Sequence, residues 1–217
     1  GGRSIAISGF PYVRDIRQRF SAVLKATGHR SDHADAAILC MHQAVEGARV
    51  GPGNFAFRSG GDVIRGHDIP GSFDAVFTGH IHRAQVLRRG LDRRPLSAPI
   101  IYPGSVERTS WAERDEPKGY VIITLNQPAP GAKHLEYDWV RLPARPMIDV
   151  SVESAEVGAI EASLRAKLSR LPSDAVVRVQ LLGPWSDGAQ LALAAANLRR
   201  LSPPTMNISL HSQSLRP

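Results

Sequence analysis

The stretch FDAVFTGHIH, residues 73–82, joins a short, mostly apolar run directly to a turn that carries two histidines. The run at residues 73–77 predicts a strand buried in a sheet. In open α/β sheets, ligands bind outside the carboxyl ends of such strands. The positions of His80 and His82 directly after the run make them candidate functional residues.

A second stretch has the same form. Residues 36–43 read AAILCMHQ, so an apolar strand at 36–41 is followed at once by His42. The one cysteine, Cys40, lies in this run, which excludes an intrachain disulfide and predicts a buried apolar side chain.

The three histidines together predict part of a metal site. Strand side chains repeat every two residues, so His80 and His82 point the same way if the chain stays extended. With His42 from a second strand end, three imidazoles are expected to converge, and imidazole binds several divalent metals. Three unrelated loop histidines are the alternative.

The rest of the chain predicts two domains. A breaker stretch, LPARP at 142–146, separates residues 1–143 from residues 147–217, which read as a small β-α-β-α-β module. No element is predicted in the Gly-rich segment 46–71. The remaining predicted elements are strands at 4–8, 120–125, 134–142, 147–152, 175–182 and 207–211, a hairpin at 86–102, and helices at 14–27, 154–171 and 188–201.

The net charge of +7 is uneven. Residues 1–145 carry 20 Lys and Arg against 14 Asp and Glu, whereas residues 146–217 carry seven against six. The excess is densest between residues 83 and 94, where five arginines face only Asp92: Arg83, Arg88, Arg89, Arg93 and Arg94. Such a cluster suits a polyanion, and solubility alone explains it equally well. No apolar stretch is long enough for a membrane span and no secretory signal is present, so a cytoplasmic protein without a membrane partner is expected.

Three segments carry a family resemblance. They are MHQAVEG (41–47), FDAVFTGHIHRAQVL (73–87) and PIIYPGSVERTSWAERDEPKGYVIITL (99–125). Together they resemble the calcineurin-like metallophosphoesterases, and most of all the SbcD-type exonuclease subunit of DNA double-strand-break repair. The resemblance covers residues 5–125. Many phosphoesterases share the GHxH motif, whereas YPGS…ER…DEPKGY is more discriminating.

The resemblance implies a fold and an activity. The fold would be α/β (α+β), with residues 1–143 as the C-terminal part of a metallophosphoesterase β-sandwich flanked by helices and residues 147–217 as a small α+β capping domain. The family binds two divalent ions, for which Mn²⁺ is the first choice while Mg²⁺, Zn²⁺ and Fe²⁺ stay open. His42 and His80 would bind one ion and His82 the other. The implied activity is hydrolysis of DNA phosphodiesters, with an SbcC-type ATPase as partner, a homodimer of the full-length protein, and the five arginines in contact with DNA.

The sequence also departs from the family pattern. The D-x-H, G-D-x-x-D and G-N-H-D motifs that open the family's site are absent in that order, and Gly61-Asp62 lies after His42 instead of before it. No complete catalytic set is therefore expected, and this chain alone should bind metal weakly or not at all. Two alternatives stay open: a non-catalytic module that binds DNA or docks the ATPase, and a phosphoesterase that acts on small substrates.

Overall fold

The apolar runs form strands in a computed structural model that describes residues 4–29, 34–126 and 135–211. The strands are β1 (Ile5–Phe10), β2 (Ala36–Met41), β3 (Ala44–Val45), β4 (Arg49–Val50), β5 (Phe55–Ala56), β6 (Val63–Ile64), β7 (Ala75–Thr78), β8 (Gln85–Arg89), β9 (Pro95–Tyr102), β10 (Lys118–Leu125), β11 (Leu135–Leu142), β12 (Met147–Glu153), β13 (Val176–Leu182) and β14 (Asn207–Leu210). The α-helices are α1 (Ile16–Ala26), α2 (Val157–Leu168), α3 (Asp187–Ala192) and α4 (Ala195–Leu201). Short 3-10 helices lie at Gly66–Asp68 and Trp111–Glu113.

The chain divides into two compact units, residues 1–144 and 145–217, and the division lies inside the LPARP stretch. No strand of one unit joins a sheet of the other among the described residues. The mixed α/β architecture with several separate sheets agrees with the predicted fold class. No helix in the described part of the chain is long and apolar enough to cross a membrane.

The first unit is organised around a five-stranded sheet in the order β1-β2-β7-β9-β8. Neighbouring strands from β1 to β9 are parallel, and β8 alone runs antiparallel to β9. Helix α1 buries Ile16, Phe20 and Leu24, whose spacing of four residues places them on one helical face. Each such side chain contributes about 1.5–3 kcal/mol when it is fully buried.

A hairpin of β10 and β11 covers part of the other sheet face. There Ile38, Ala75 and Ile101 are buried together with Leu135. The predicted strand at 134–142 corresponds to β11, except that His134 lies outside the described residues.

The same sheet face is uncovered on the side of β1. Ile5 is 46% exposed, Ile7 is 68% exposed, and Cys40 on β2 is exposed as well. The prediction of a buried Cys40 is therefore wrong. The apolar run of β2 is covered on both faces near Ile38, but the cover does not extend to Cys40 within the described residues.

The Gly-rich segment without predicted elements contains three strands of two residues each, and a fourth, β3, directly precedes it. β3 pairs in parallel with β6, and β4 pairs antiparallel with β5. Strands this short carry no detectable period of two, which is why the sequence does not predict them.

The second unit contains a parallel sheet in the order β12-β13-β14 with the helices α2, α3 and α4. The prediction of one helix at 188–201 is wrong, because Ala194 is extended (ψ 140°) and separates α3 from α4. The side-chain amide of Asn197 donates to the carbonyl of Ala192 at 2.7 Å and satisfies one of the free carbonyls at the end of α3. No Gly or Pro marks this break, so the Ala- and Leu-rich sequence conceals it.

Candidate functional site

Parallel strands bring the candidate residues to one edge of the first sheet. The carboxyl ends of β1, β2, β7 and β9 lie at the same edge because these strands run in the same direction. Tyr12 follows β1, His42 follows β2, and His80 and His82 follow β7. Since β2 and β7 are neighbours in the sheet, the turn with His42 lies next to the turn with the other two histidines.

The rings of His42 and His80 are in contact. Their centroids lie 5.5 Å apart and their planes are nearly perpendicular, at 77°. The two turns are joined by the backbone N–H of Gly79, which donates to the carbonyl of Met41 at 3.0 Å. A Cβ atom at Gly79 would lie 2.6 Å from Nδ1 of His42, so only glycine allows the imidazole to occupy its observed position.

The chain does not stay extended through the two neighbouring histidines. His80 has a left-handed backbone (φ 76°), which costs a non-glycine residue roughly 1–3 kcal/mol. Ile81 is nevertheless buried, while His80 and His82 are both exposed, so the two imidazoles still reach the solvent side of the turn. Left-handed residues are enriched at functional sites, where the surrounding structure maintains the strain.

His80 also has an aromatic neighbour that the sequence does not reveal. The ring of Tyr12 stacks on the His80 ring with centroids 5.6 Å apart and an interplanar angle of 24°. Burial and the nearby rings of His42 and His82 lower the pKa of His80, against an opposing effect of the Asp62 carboxylate. A lowered pKa favours the neutral imidazole, which is the form that binds metals.

Asp62 belongs to this neighbourhood although it comes late in the chain. Its Oδ1 atom accepts the backbone N–H of Asp15 at 2.7 Å. Partial burial and a hydrogen bond with Asp62 raise the pKa of Tyr12. The sequence separates Asp62 from the strand ends by about twenty residues of irregular chain, so its proximity to Tyr12 and His80 could not be predicted.

A buried hydrogen-bond network supports the turn that carries His42. Gln43 is fully buried, and its carbonyl accepts the hydroxyls of Thr78 (2.8 Å) and Tyr102 (3.1 Å). Its side-chain amide donates to the carbonyl of Val13 at 2.9 Å, while its Oε1 atom has no hydrogen-bond partner among the described residues. An unsatisfied buried oxygen costs about 1–3 kcal/mol. Burial raises the pKa of Tyr102, which stays a neutral donor.

His82 is held by a carboxylate. Its Nδ1 atom lies 3.0 Å from Oε1 of Glu113 and 3.2 Å from the hydroxyl of Thr109. His80 and His82 line one cavity of about 300 Å³ together with Glu113 and Glu116. The resemblance points to the segment containing Glu113, but the sequence alone does not predict that this residue contacts His82.

The carboxylate of Glu113 is in turn held by a buried lysine. The ammonium of Lys118 is fully buried and donates to Oε2 of Glu113 at 2.6 Å and to Oγ of Ser105 at 2.8 Å. Burial alone would raise the pKa of Glu113, but hydrogen bonds from Lys118, His82 and Thr109 outweigh it and lower the pKa to about 2. Glu113 is therefore anionic at neutral pH.

Arg83 takes part in the same buried cluster. Its guanidinium donates to Glu116 (2.8 Å), to the Asn54 side chain (2.6 Å) and to the Gly51 carbonyl (2.8 Å). These contacts join the turn after β7 to the β4–β5 hairpin. Three of the five guanidinium N–H groups are thus engaged, which leaves Arg83 fewer donors for a phosphate.

The other four predicted DNA-contact arginines lie on the β8–β9 hairpin. Arg88 hydrogen-bonds the Tyr137 hydroxyl and lies over that ring, while Arg89 donates to the carbonyl of Arg93. Arg94 is 80% exposed and pairs with Asp92. The hairpin therefore presents an exposed, strongly basic end.

The donor chemistry fits a divalent metal in part. The rings of His42 and His80 are adjacent, and His80 and His82 line one cavity. No three His, Cys, Asp or Glu side chains in residues 4–29, 34–126 and 135–211 are arranged as a ready metal site. The convergence of all three imidazoles on a metal cluster stays a prediction. Comparisons with models of protein families and with curated proteins find no match to this chain.

Proposed function

We propose that this chain is part of a two-metal DNA phosphodiesterase of the calcineurin-like, SbcD exonuclease type. His42 and His80 would bind one divalent ion and His82 the other. The observation that carries the proposal is the contact between His42 and His80 at the carboxyl ends of adjacent parallel strands. The predicted β-sandwich and capping domain, a cytoplasmic location and an SbcC-type ATPase partner belong to the same proposal.

The chemistry follows from the kind of site. Divalent ions bound there would stabilise charge on a phosphodiester and lower the pKa of water, with Mn²⁺ the first choice of metal. This chain's residues provide imidazoles that are exposed at the rim, and Glu113 holds one of them in place. Two ions close together also need a bridging carboxylate to reduce their repulsion, and no residue here matches the family's bridging aspartate.

The missing carboxylates would have to come from another segment. The uncovered face of β1, with exposed Ile5 and Ile7, is a described surface on which such a segment could pack. The whole enzyme would then combine carboxylates from that segment with the three imidazoles of this chain.

A nuclease assay with Mn²⁺ and a chelator control tests this proposal. Residues 1–217 alone should cleave DNA little or not at all. A longer chain that includes the D-x-H, G-D-x-x-D and G-N-H-D motifs should cleave DNA, and His82→Ala should abolish that activity. His211, which is half-buried in the second unit, provides the control variant His211→Ala, which should remain active. Strong, chelator-sensitive cleavage by residues 1–217 alone would contradict the proposal, because other residues would then complete the site.

A non-catalytic module is the second candidate. The basic β8–β9 hairpin supports DNA binding without catalysis, and the second unit exposes Leu191 (65%) and Trp185 (39%), which suits docking to a partner. The longer chain also distinguishes this candidate, because a non-catalytic module would bind DNA yet stay inactive with every metal.

A further inference from the structure

We propose that Glu113 is a positioning residue that keeps the proton of neutral His82 on Nδ1, so that Nε2 is the nitrogen free to bind a metal. This inference rests on the proposed function and deepens it, because it assigns a role to a residue outside the predicted ligand set. It is carried by the hydrogen bonds around the His82 ring.

Both neighbours of Nδ1 are placed to accept a hydrogen bond from it. The carboxylate of Glu113, 3.0 Å from Nδ1, is paired with the Lys118 ammonium at 2.6 Å and has no proton to give. The Thr109 hydroxyl lies 3.2 Å from Nδ1, but it donates its own hydrogen to Oε1 of Glu113 at 2.9 Å. Nδ1 must therefore be the donor, and the neutral ring carries its lone pair on Nε2.

The Glu113 carboxylate is held tightly enough to orient the ring. The side chain is 11% exposed and is fixed by Lys118 at 2.6 Å, by Thr109 and by the Ser110 hydroxyl at 3.1 Å. A buried ammonium needs a paired charge, so Lys118 keeps the carboxylate in place. His82, in contrast, is 46% exposed, and the Glu113 carboxylate is the closer of the two groups that contact its Nδ1 atom.

Glu116 provides a matched control. It is also a largely buried carboxylate (9% exposed) and lies 3.8 Å from Lys118, but its close hydrogen bond goes to Arg83 instead of His82. Glu116→Gln removes the same charge beside the same lysine without touching the His82 ring. A purely structural role of the cluster would make both glutamates equivalent.

Glu113→Gln should reverse the tautomer. Lys118 can only donate, so it will hold the new amide oxygen and turn the amide NH₂ toward Nδ1 of His82. Nδ1 then accepts a hydrogen bond and the ring proton moves to Nε2, where it blocks metal binding. Losing the hydrogen-bond partner that orients a metal-binding histidine typically costs about 10- to 100-fold in metal affinity.

The test is nitrogen NMR of residues 1–217 labelled with ¹⁵N-histidine, with the His82→Ala spectrum used to identify the His82 signals. Nδ1–H is expected in the wild type and in Glu116→Gln, and Nε2–H in Glu113→Gln. Nε2–H in the wild type would overturn the proposal, and this result does not depend on the folding of either glutamate variant.

A Zn²⁺ titration followed at the same nitrogens separates this proposal from the proposed function. The His82 Nε2 signal should respond at about 10- to 100-fold lower Zn²⁺ in the wild type and Glu116→Gln than in Glu113→Gln. Equal responses in all three proteins would overturn the role of Glu113 and leave the metal site intact. No response at His42, His80 or His82 in any of these proteins would overturn the metal part of this proposal, and the same result in the longer chain with the upstream motifs would overturn the proposed function.

Discussion

At the scale of single residues, each of the three histidines is held by a different kind of neighbour. His42 depends on the bare backbone of Gly79, His80 on the stacked ring of Tyr12, and His82 on the carboxylate of Glu113. All three histidines are exposed at the rim, whereas Glu113 is largely buried, Gly79 acts through its backbone and Tyr12 is itself 44% exposed. Substitutions at these three neighbours should therefore change the position or the tautomer of the ring that each one holds.

Gly79→Ala tests the support of His42. The new Cβ atom would lie 2.6 Å from Nδ1, and the exposed imidazole can move away, so the free energy of unfolding should change by less than about 1 kcal/mol. The cross-relaxation between the rings of His42 and His80 in NMR spectra should nevertheless weaken. Gly53→Ala is the control, because a Cβ atom there meets nothing within 4 Å. Unchanged cross-relaxation in Gly79→Ala would mean that the glycine does not set the ring position.

Glu113 should stabilise the fold in a pH-dependent manner. Its pKa is about 2 in the folded chain against an ordinary value of 4.5, so its contribution is present above about pH 4.5 and is lost as the pH falls through about 2. The gap between the two pKa values corresponds to roughly 3 kcal/mol. Urea unfolding of the wild type and Glu113→Gln at pH 7 and pH 3 measures this contribution. The stability difference should be smaller at pH 3, and an equal difference at both values would contradict the expected ion pair with Lys118.

At the scale of elements, the site depends on where strands end. Strand β2 has the predicted bounds, because its apolar run is continuous and the polar residues His42 and Gln43 follow it directly. The sequence pattern does not show that β2 and β7 are neighbours in the sheet, because the only strands in the segment between them are two residues long. The sequence therefore indicates which residues follow strands, but not that Tyr12 and Asp62 join them.

The β8–β9 hairpin allows a test of DNA binding. Replacing Arg88, Arg89, Arg93 and Arg94 with glutamate should weaken DNA binding and flatten its salt dependence by about 0.9 in slope for each lost phosphate contact. The control makes the same charge change at four exposed basic residues of the second unit: Arg165, Lys167, Arg170 and Arg199. Binding is measured between about 50 and 200 mM salt, because an affinity that depends on phosphate contacts changes strongly over this range. An equal effect of both variants would mean that the hairpin arginines serve solubility and have no specific role in DNA binding.

At the scale of the whole molecule, the mixed α/β class and the strand order along the chain could be predicted from periodicity and breakers. The predictions that failed concern features that are set by tertiary contacts. Cys40 lies in an apolar run yet is exposed, and the break between α3 and α4 is stabilised by Asn197 instead of a Gly or Pro. Contacts such as Glu113 with His82, 31 residues apart, are set by the fold and leave no local periodicity in the sequence.

The central claim is that His42, His80 and His82 form the imidazole half of a two-metal site. Mn²⁺ binding followed by electron paramagnetic resonance tests it directly, in residues 1–217 and in the longer chain that includes the upstream motifs. The longer chain should bind two Mn²⁺ ions, residues 1–217 should bind Mn²⁺ only weakly, and His42→Ala should weaken binding in both. Failure of the longer chain to bind Mn²⁺, or binding that does not change in His42→Ala, would contradict the claim.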